Sequence, residues 1–239
     1  MQPHSTLLTK PADDRETLLD LALGGPAPGQ GWRGAGTGPQ LARTPHPQDR
    51  RPLLGEPLAL DLLNTRWDDA AGPADLLADP DGYRIWLAGA GLAGLCDDGP
   101  DALTATRHAR EILAAALAAP HGQRPADAGR EAAVQEINRV LAHGALRSRL
   151  TAHGPETTVE VGDPAWLAAW LAVDDYLQLL CLAPGRIRSC AGRHLHPRYF
   201  YDTSRNGLRR WCSMAECGNR AKAARHYRRG RGGPAPAGT

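Results

Sequence analysis

The 239-residue sequence predicts an α+β chain: a mostly helical N-terminal domain with a few strands, followed by a small treble-clef-like finger. Three observations predict this. Between about 53 and 183, runs of Ala and Leu alternate with Pro- and Gly-bearing breaks, the pattern of amphipathic helices joined by turns. Cys190, His196, Cys212 and Cys217 then crowd into one short segment, and three thiols with an imidazole are the ligands of a tetrahedral zinc ion. That segment holds the only Phe of the chain, too little apolar matter to fold by packing alone, and modules of this kind need a metal or disulfides.

Taken in order, residues 1–52 read as a disordered leader, dense in Gly, Pro, Gln and Arg from Gly24 to Arg51, with one short helix at Glu16–Leu23. Domain 53–183 begins with Pro57–Thr65, apolar and short, which suits a buried strand ending at Asn64. Asp79-Pro80 opens a helix through Trp86. Pro100–Ala119 is helical, with Leu103, His108, Ile112, Ala115 and Ala116 recurring near a 3.6 period. Pro125–Ala142 is a second amphipathic helix, facing inward through Ala133, Ile137, Val140 and Leu141. Leu146–Ala152 and Thr157–Val161 alternate as strands around a His153-Gly154-Pro155 turn. Asp163-Pro164 is an N-cap followed by Pro at the first helical position, and a long apolar helix runs on to Leu182. Trp86, Trp166 and Trp170 are core candidates.

The finger spans 186–231. Arg188-Ser189-Cys190 leads as a strand into a ligand loop. Tyr199–Tyr201 is β-prone, Asn206-Gly207 makes a tight hairpin turn, and the chain returns through Arg209-Arg210-Trp211 to Cys212. Cys217 stands at the start of a basic helix, Asn219–Arg229. A ligand-bearing hairpin followed by a ligand at a helix start is the treble-clef arrangement. Residues 232–239 are a disordered tail.

Charge divides the same way. The finger carries 13 basic residues against Asp202 and Glu216, while the whole chain is only +2, so the rest is acidic. A basic module on an acidic body points to nucleic acid. The candidate phosphate contacts are Arg205 at the turn, Arg209 and Arg210 beyond it, and Arg220, Lys222, Arg225 and Arg228 on the helix, since guanidinium forks bind phosphate oxygens in pairs. Asp61, Asn64 and Arg66 end the first apolar run and form a candidate ligand pocket, although Asn64 and Thr65 also suit a plain turn. Cys96 and Cys181 read as buried free thiols. No stretch approaches the ~20 apolar residues of a membrane span and no secretory h-region is present, so no membrane partner and a reducing cytoplasm are expected.

Asp202–Lys222, DTSRNGLRRWCSMAECGNRAK, resembles the signature of the CGNR zinc-finger family, with Cys217-Gly218-Asn219-Arg220 as the naming motif. LALDLLNTR and Trp86-Leu87 resemble the ABATE domain that precedes such fingers. The resemblance implies one structural zinc and a stress-induced transcription regulator that binds double-stranded DNA through its finger. The family's second ligand is a Cys in a C-x4-C pair. Counting back from Phe200 and Asp202, that position falls on His196, one residue further from Cys190 than usual, and His194 is the competing candidate. An RNA- or protein-binding adaptor is the alternative function. No catalytic constellation, phosphate loop or nucleophile elbow occurs, so no enzyme is expected. The N-terminal domain is left to sense a small-molecule effector or to form a homodimer.

Overall fold

In the computed structural model, residues 6–7, 45–69, 72–118, 128–152, 154–192 and 198–223 are described. The first helix, α1 (Leu58–Leu63), stands where a strand is expected. Pro57 opens it, and its six residues are buried on all sides. A short run, apolar but for Asp61, fits a buried helix as well as a buried strand. The Leu and Ala content, without β-branched residues, decides for helix. A carboxylate supplied from far along the chain completes its start: Asp175 Oδ2 accepts from Ala59 N at 2.8 Å, favourably placed against the helix dipole.

Strands β2 (Arg66–Asp69) and β3 (Gly72–Asp75) then form an antiparallel hairpin. Helix α2 (Pro80–Gly89) is capped by Asp79, whose side chain accepts from Gly82 N. Helix α3 (Pro100–Ala118) buries Ala102, Leu103, Ala105, Thr106, Ala109, Ile112 and Leu113. His108 and Ala115, expected on that face, are exposed, and the fully buried Arg110 lies on it instead. Arg110 is neutralised by Asp75, at 2.6 and 2.8 Å, and also donates to Thr65 Oγ1 at 2.7 Å. A buried guanidinium persists only when paired in this way.

Helix α4 (Ala128–Leu141) buries Ala133, Ile137 and Val140, and partly buries Leu141. Strands β4 (Gly144–Thr151) and β5 (Gly154–Val161) pair as a hairpin, and β1 (Thr6–Leu7) adds on the far side of β5, opposite Val161 and Glu160. Asp163 caps a short turn at Pro164–Trp166, which runs into α5 (Leu167–Leu182). Leu167–Val173 are all buried, so α5 is the central helix against which α1, α3 and α4 pack. With its leading turn it forms 19 residues, Pro164–Leu182, long and apolar enough to span a membrane by length and composition, contrary to the expectation from sequence. Most of that stretch (61%) is buried within the protein, and it contains Asp174 and Asp175. Cys96 is buried, which pushes its thiol up to about 12, whereas Cys181 is exposed rather than buried. Trp86 and Trp170 lie in the core. Trp166 is half-buried and stacks on His143 with ring centroids 3.7 Å apart.

The end of the expected disordered leader is instead packed. Arg51 is 5% exposed and clamped between Asp49 (2.7 Å) and Asp61 (3.0 Å), which fixes residues 45–55 against α1. Thr6–Leu7, also expected to be disordered, pair in a sheet. The expected helix Glu16–Leu23 and the tail from 232 fall outside the described residues.

Candidate metal centre

The finger begins directly after α5. Strand β6 (Ile187–Ser189) pairs antiparallel with β7 (Tyr199–Tyr201), placing Ser189 opposite Tyr199. The hairpin partner of Tyr199–Tyr201 is therefore the strand before the ligand loop, and not Arg209–Trp211 as the Asn206-Gly207 turn suggests. The return segment is held by one backbone bond, Ala191 N to Arg210 O at 2.8 Å. Gly207 does adopt the left-handed conformation, φ +60°, but within a local turn closed by Gly207 N to Ser204 O.

Cys190, at the exit of β6, Cys212 and Cys217 converge, with all three sulfurs within 4.8 Å of one another and all three residues buried. A wide π-type turn, Met214–Gly218, lies between the last two, closed by Gly218 N to Ser213 O. It brings Cys212 Sγ and Cys217 Sγ to 3.6 Å. That is far longer than a disulfide bond. Two thiolates on one tetrahedral zinc, each ~2.3 Å from it, stand roughly 3.8 Å apart, so the spacing fits the metal.

Electrostatics agree. Gly192 N and Cys212 N both donate to Cys190 Sγ at 3.4 Å, an arrangement that favours a thiolate. Without a cation at their centre, the Cys212 thiol is pushed up by its hydrogen bond to Cys190 and by burial, and the Cys217 thiol by burial. Three buried sulfurs packed together thus call for a positive centre, and Cys190, Cys212 and Cys217 are the residues that would hold a zinc ion there. His196 and His194, the candidates for a fourth ligand, lie outside the described residues.

Among the described residues, the other apolar matter in this small core is Phe200, fully buried, with Trp211 and Leu53 packed against it. Leu53 comes from the clamped strap before α1. The finger is also stitched to the N-terminal domain by polar contacts that the sequence did not announce. Asn64 Nδ2 donates to Tyr199 O at 2.8 Å, and Tyr199 N donates back to Asn64 Oδ1 at 2.9 Å. Tyr201 N donates to Glu56 Oε2 at 2.8 Å. Arg198, 5% exposed, reaches Asp68 O at 3.5 Å and Cys217 Sγ at 4.0 Å, so one guanidinium touches both the β2 hairpin and the metal cluster.

The candidate pocket residues are occupied by the protein itself. Asp61 accepts from Arg51 and from Trp86 Nε1 at 3.0 Å, Asn64 holds Tyr199, and Arg66 pairs with Asp75 and Glu111. The three point to three different sets of partners, and Asp61 borders a small depression beside Asp49, Arg51 and Gly89.

Of the candidate phosphate contacts, Arg205, Arg210, Arg220 and Lys222 are exposed. Arg209 turns inward. Its Nε donates to Trp211 O at 2.8 Å, its Nη2 bonds Cys212 O, and its guanidinium lies 4.6 Å from the centre of the Phe200 ring. It braces the knuckle that carries Cys212. Arg225 and Arg228 lie outside the described residues.

No curated protein matches the sequence. Residues 186–230 match the CGNR zinc finger, and residues 56–182 match the ABATE family, whose description is "Putative stress-induced transcription regulator". The second match alone covers more than half of the chain, and the sulfur cluster lies within the first. The chain accordingly belongs to the ABATE family and ends in a CGNR zinc finger.

Proposed function

We propose that the protein is a zinc-dependent transcription regulator that grips double-stranded DNA with its finger and takes its input through the N-terminal domain, by sensing an effector or by pairing with a second copy. One zinc ion, held by Cys190, Cys212, Cys217 and His196, keeps the finger folded and does no chemistry on a substrate. The observation that carries the reading is the exposed set Arg205, Arg210, Arg220 and Lys222 on a metal knuckle in which, among the described residues, Arg186, Arg188 and Arg209 bond the protein's own carbonyls. Exposed cations on a rigid scaffold, with the Arg210 guanidinium 5.7 Å from the centre of the Trp211 ring, suit a row of phosphates, and neutralising phosphates releases counterions. Arg225 and Arg228 extend the set along the helix. The Asn64–Tyr199 clasp supports the second half of the reading, because it gives a change in the N-terminal domain a direct mechanical route to the finger.

The test is binding of the full-length, zinc-loaded protein to labelled duplex DNA against salt and excess random competitor. Selective binding that survives competitor, weakens steeply with salt and disappears with a chelator is the expected result. Binding abolished by competitor reduces the cations to a nonspecific patch, and an absence of binding at low salt overturns the reading.

A further inference from the structure

The segment Asp202–Arg210 is fastened far more tightly than a surface turn requires. Asp202 is fully buried, and its carboxylate accepts from Ser204 N at 2.9 Å, Ser204 Oγ at 2.5 Å and Arg209 N at 2.8 Å. Burial alone would raise this carboxyl, and the hydrogen bonds from Ser204 and Arg209 outweigh it and hold it below the usual range. From the other side, Arg186 Nη1 donates to the carbonyls of Asp202 (2.6 Å) and Ser204 (2.9 Å), and Arg188 Nη2 donates to that of Gly207 (2.6 Å). Two arginines and one aspartate thus fix the backbone of this turn, while Arg209, over the Phe200 ring, ties its far end to the knuckle at Trp211 and Cys212. The turn projects an apolar side chain between exposed cations. Leu208 is 73% exposed, with Arg205 and Arg210 exposed on either side of it in sequence.

We propose that this turn is a minor-groove reading head, with Leu208 as an apolar wedge that opens a base step while Arg205 and Arg210 hold the groove and its phosphates. The proposal rests on the DNA-binding reading above and assigns it a groove and a mode. The minor groove is about 6 Å wide, which admits the tip of a tight turn but no helix. Its negative potential draws arginine, most strongly where A·T-rich sequence narrows it. Apolar wedges inserted from this side unstack a step and kink the duplex away from the protein. A wedge works only if its backbone does not yield, which gives the fastening of Asp202–Gly207 a purpose. Selectivity then comes from how easily a sequence bends and how narrow its groove is, more than from base-edge hydrogen bonds.

The experiment uses the full-length, zinc-loaded protein and a duplex carrying donor and acceptor dyes at its two ends, so that affinity and bending are read together. Leu208 is exposed, so Leu208→Ala leaves zinc content and melting temperature unchanged. It is expected to abolish most of the bend and weaken binding about ten- to thirtyfold at an unaltered salt slope. Arg205→Gln is expected to flatten the salt slope by about one unit. Netropsin, which fills A·T minor grooves, is expected to compete with the wild type. Wild-type protein that binds DNA but is indifferent to Leu208→Ala and to netropsin overturns the reading head and leaves the regulator intact. Leu208→Ala that changes sedimentation of the free protein while leaving DNA bending as before assigns the leucine to a protein contact and overturns the proposal. Wild-type protein that binds no duplex overturns both readings.

Discussion

The two halves of the molecule solve the same problem with opposite means. The N-terminal domain buries a contiguous set of Leu, Ala, Val and Trp side chains around α5, from Leu58 to Leu179. The finger buries Phe200, half of Trp211 and three cysteines. Burial of apolar area is worth about 25 cal/mol per Å², so the first half can fold on packing and the second cannot. The finger makes up the deficit twice over, with a sulfur cluster shaped for zinc and with groups borrowed from its neighbour: Leu53, Glu56, Asn64 and the Asp68 carbonyl. The finger is therefore not a bead on a string. Its core and one edge of its sheet are completed by the domain before it.

Metal removal should break that comparison most severely. Structural zinc contributes an apparent ~10–16 kcal/mol at neutral pH in small fingers, far more than the contacts that dock this one. Chelation, or Cys212→Ala, is expected to leave the helical circular dichroism and the melting of the N-terminal domain nearly intact. The amides of 187–190 and 198–212 should lose their protection from hydrogen exchange. If the finger amides stay protected without metal, packing against the domain suffices and the comparison is wrong.

What could be foreseen from the residues follows the same division. The cysteine cluster was legible because metal-ligand chemistry is written in residue type and spacing, and the cap at Asp163-Pro164 because N-capping is local. The helix at Leu58–Leu63 was not, because a six-residue apolar run carries no period that separates helix from strand. Nor was the partner of Tyr199–Tyr201. Asn206-Gly207 is a sound turn signal, but strand pairing is a non-local choice, and Ile187–Ser189 wins it by lying beside the ligand loop. Arg51 and Arg110 left no signal, since a buried arginine depends on where Asp49, Asp61 and Asp75 come to lie. Leu53, the first residue of the expected helical domain, carries no local sign of its place in the finger core, because that packing depends on how distant segments meet.

A smaller perturbation targets the seam. Asn64 makes a two-way bond with the backbone of Tyr199, and Asn64→Ala strands a part-buried donor and acceptor at once. Such a loss costs about 1–3 kcal/mol. Exchange of the Tyr199 amide is expected to accelerate about ten- to a hundredfold, while amides in α3 hold their rates and zinc stays bound. Equal acceleration throughout the chain would mean that the seam is part of one cooperative core.

The smallest expected effect lies in the acid limb of the N-terminal domain. Burial alone would raise the Asp75 carboxyl, but hydrogen bonds and charge from Arg110, with a further bond from Arg66, outweigh it and hold it below its ordinary 3.8. A carboxyl depressed in the folded state adds stability that is fully present above its unfolded value and is lost as pH falls through the folded value. Urea midpoints should therefore be insensitive to this group from neutral pH down to about 5 and fall below about 4. Arg66 is 38% exposed in its side chain and worth little as an ion pair, so Arg66→Gln should cost under ~1 kcal/mol at neutral pH. Its sharper signature is a shift of the acid limb to higher pH, because one of the groups holding Asp75 down has gone. A limb that moves to lower pH, or not at all, would assign the acid sensitivity to other carboxylates, and Arg110 alone would then account for the state of Asp75.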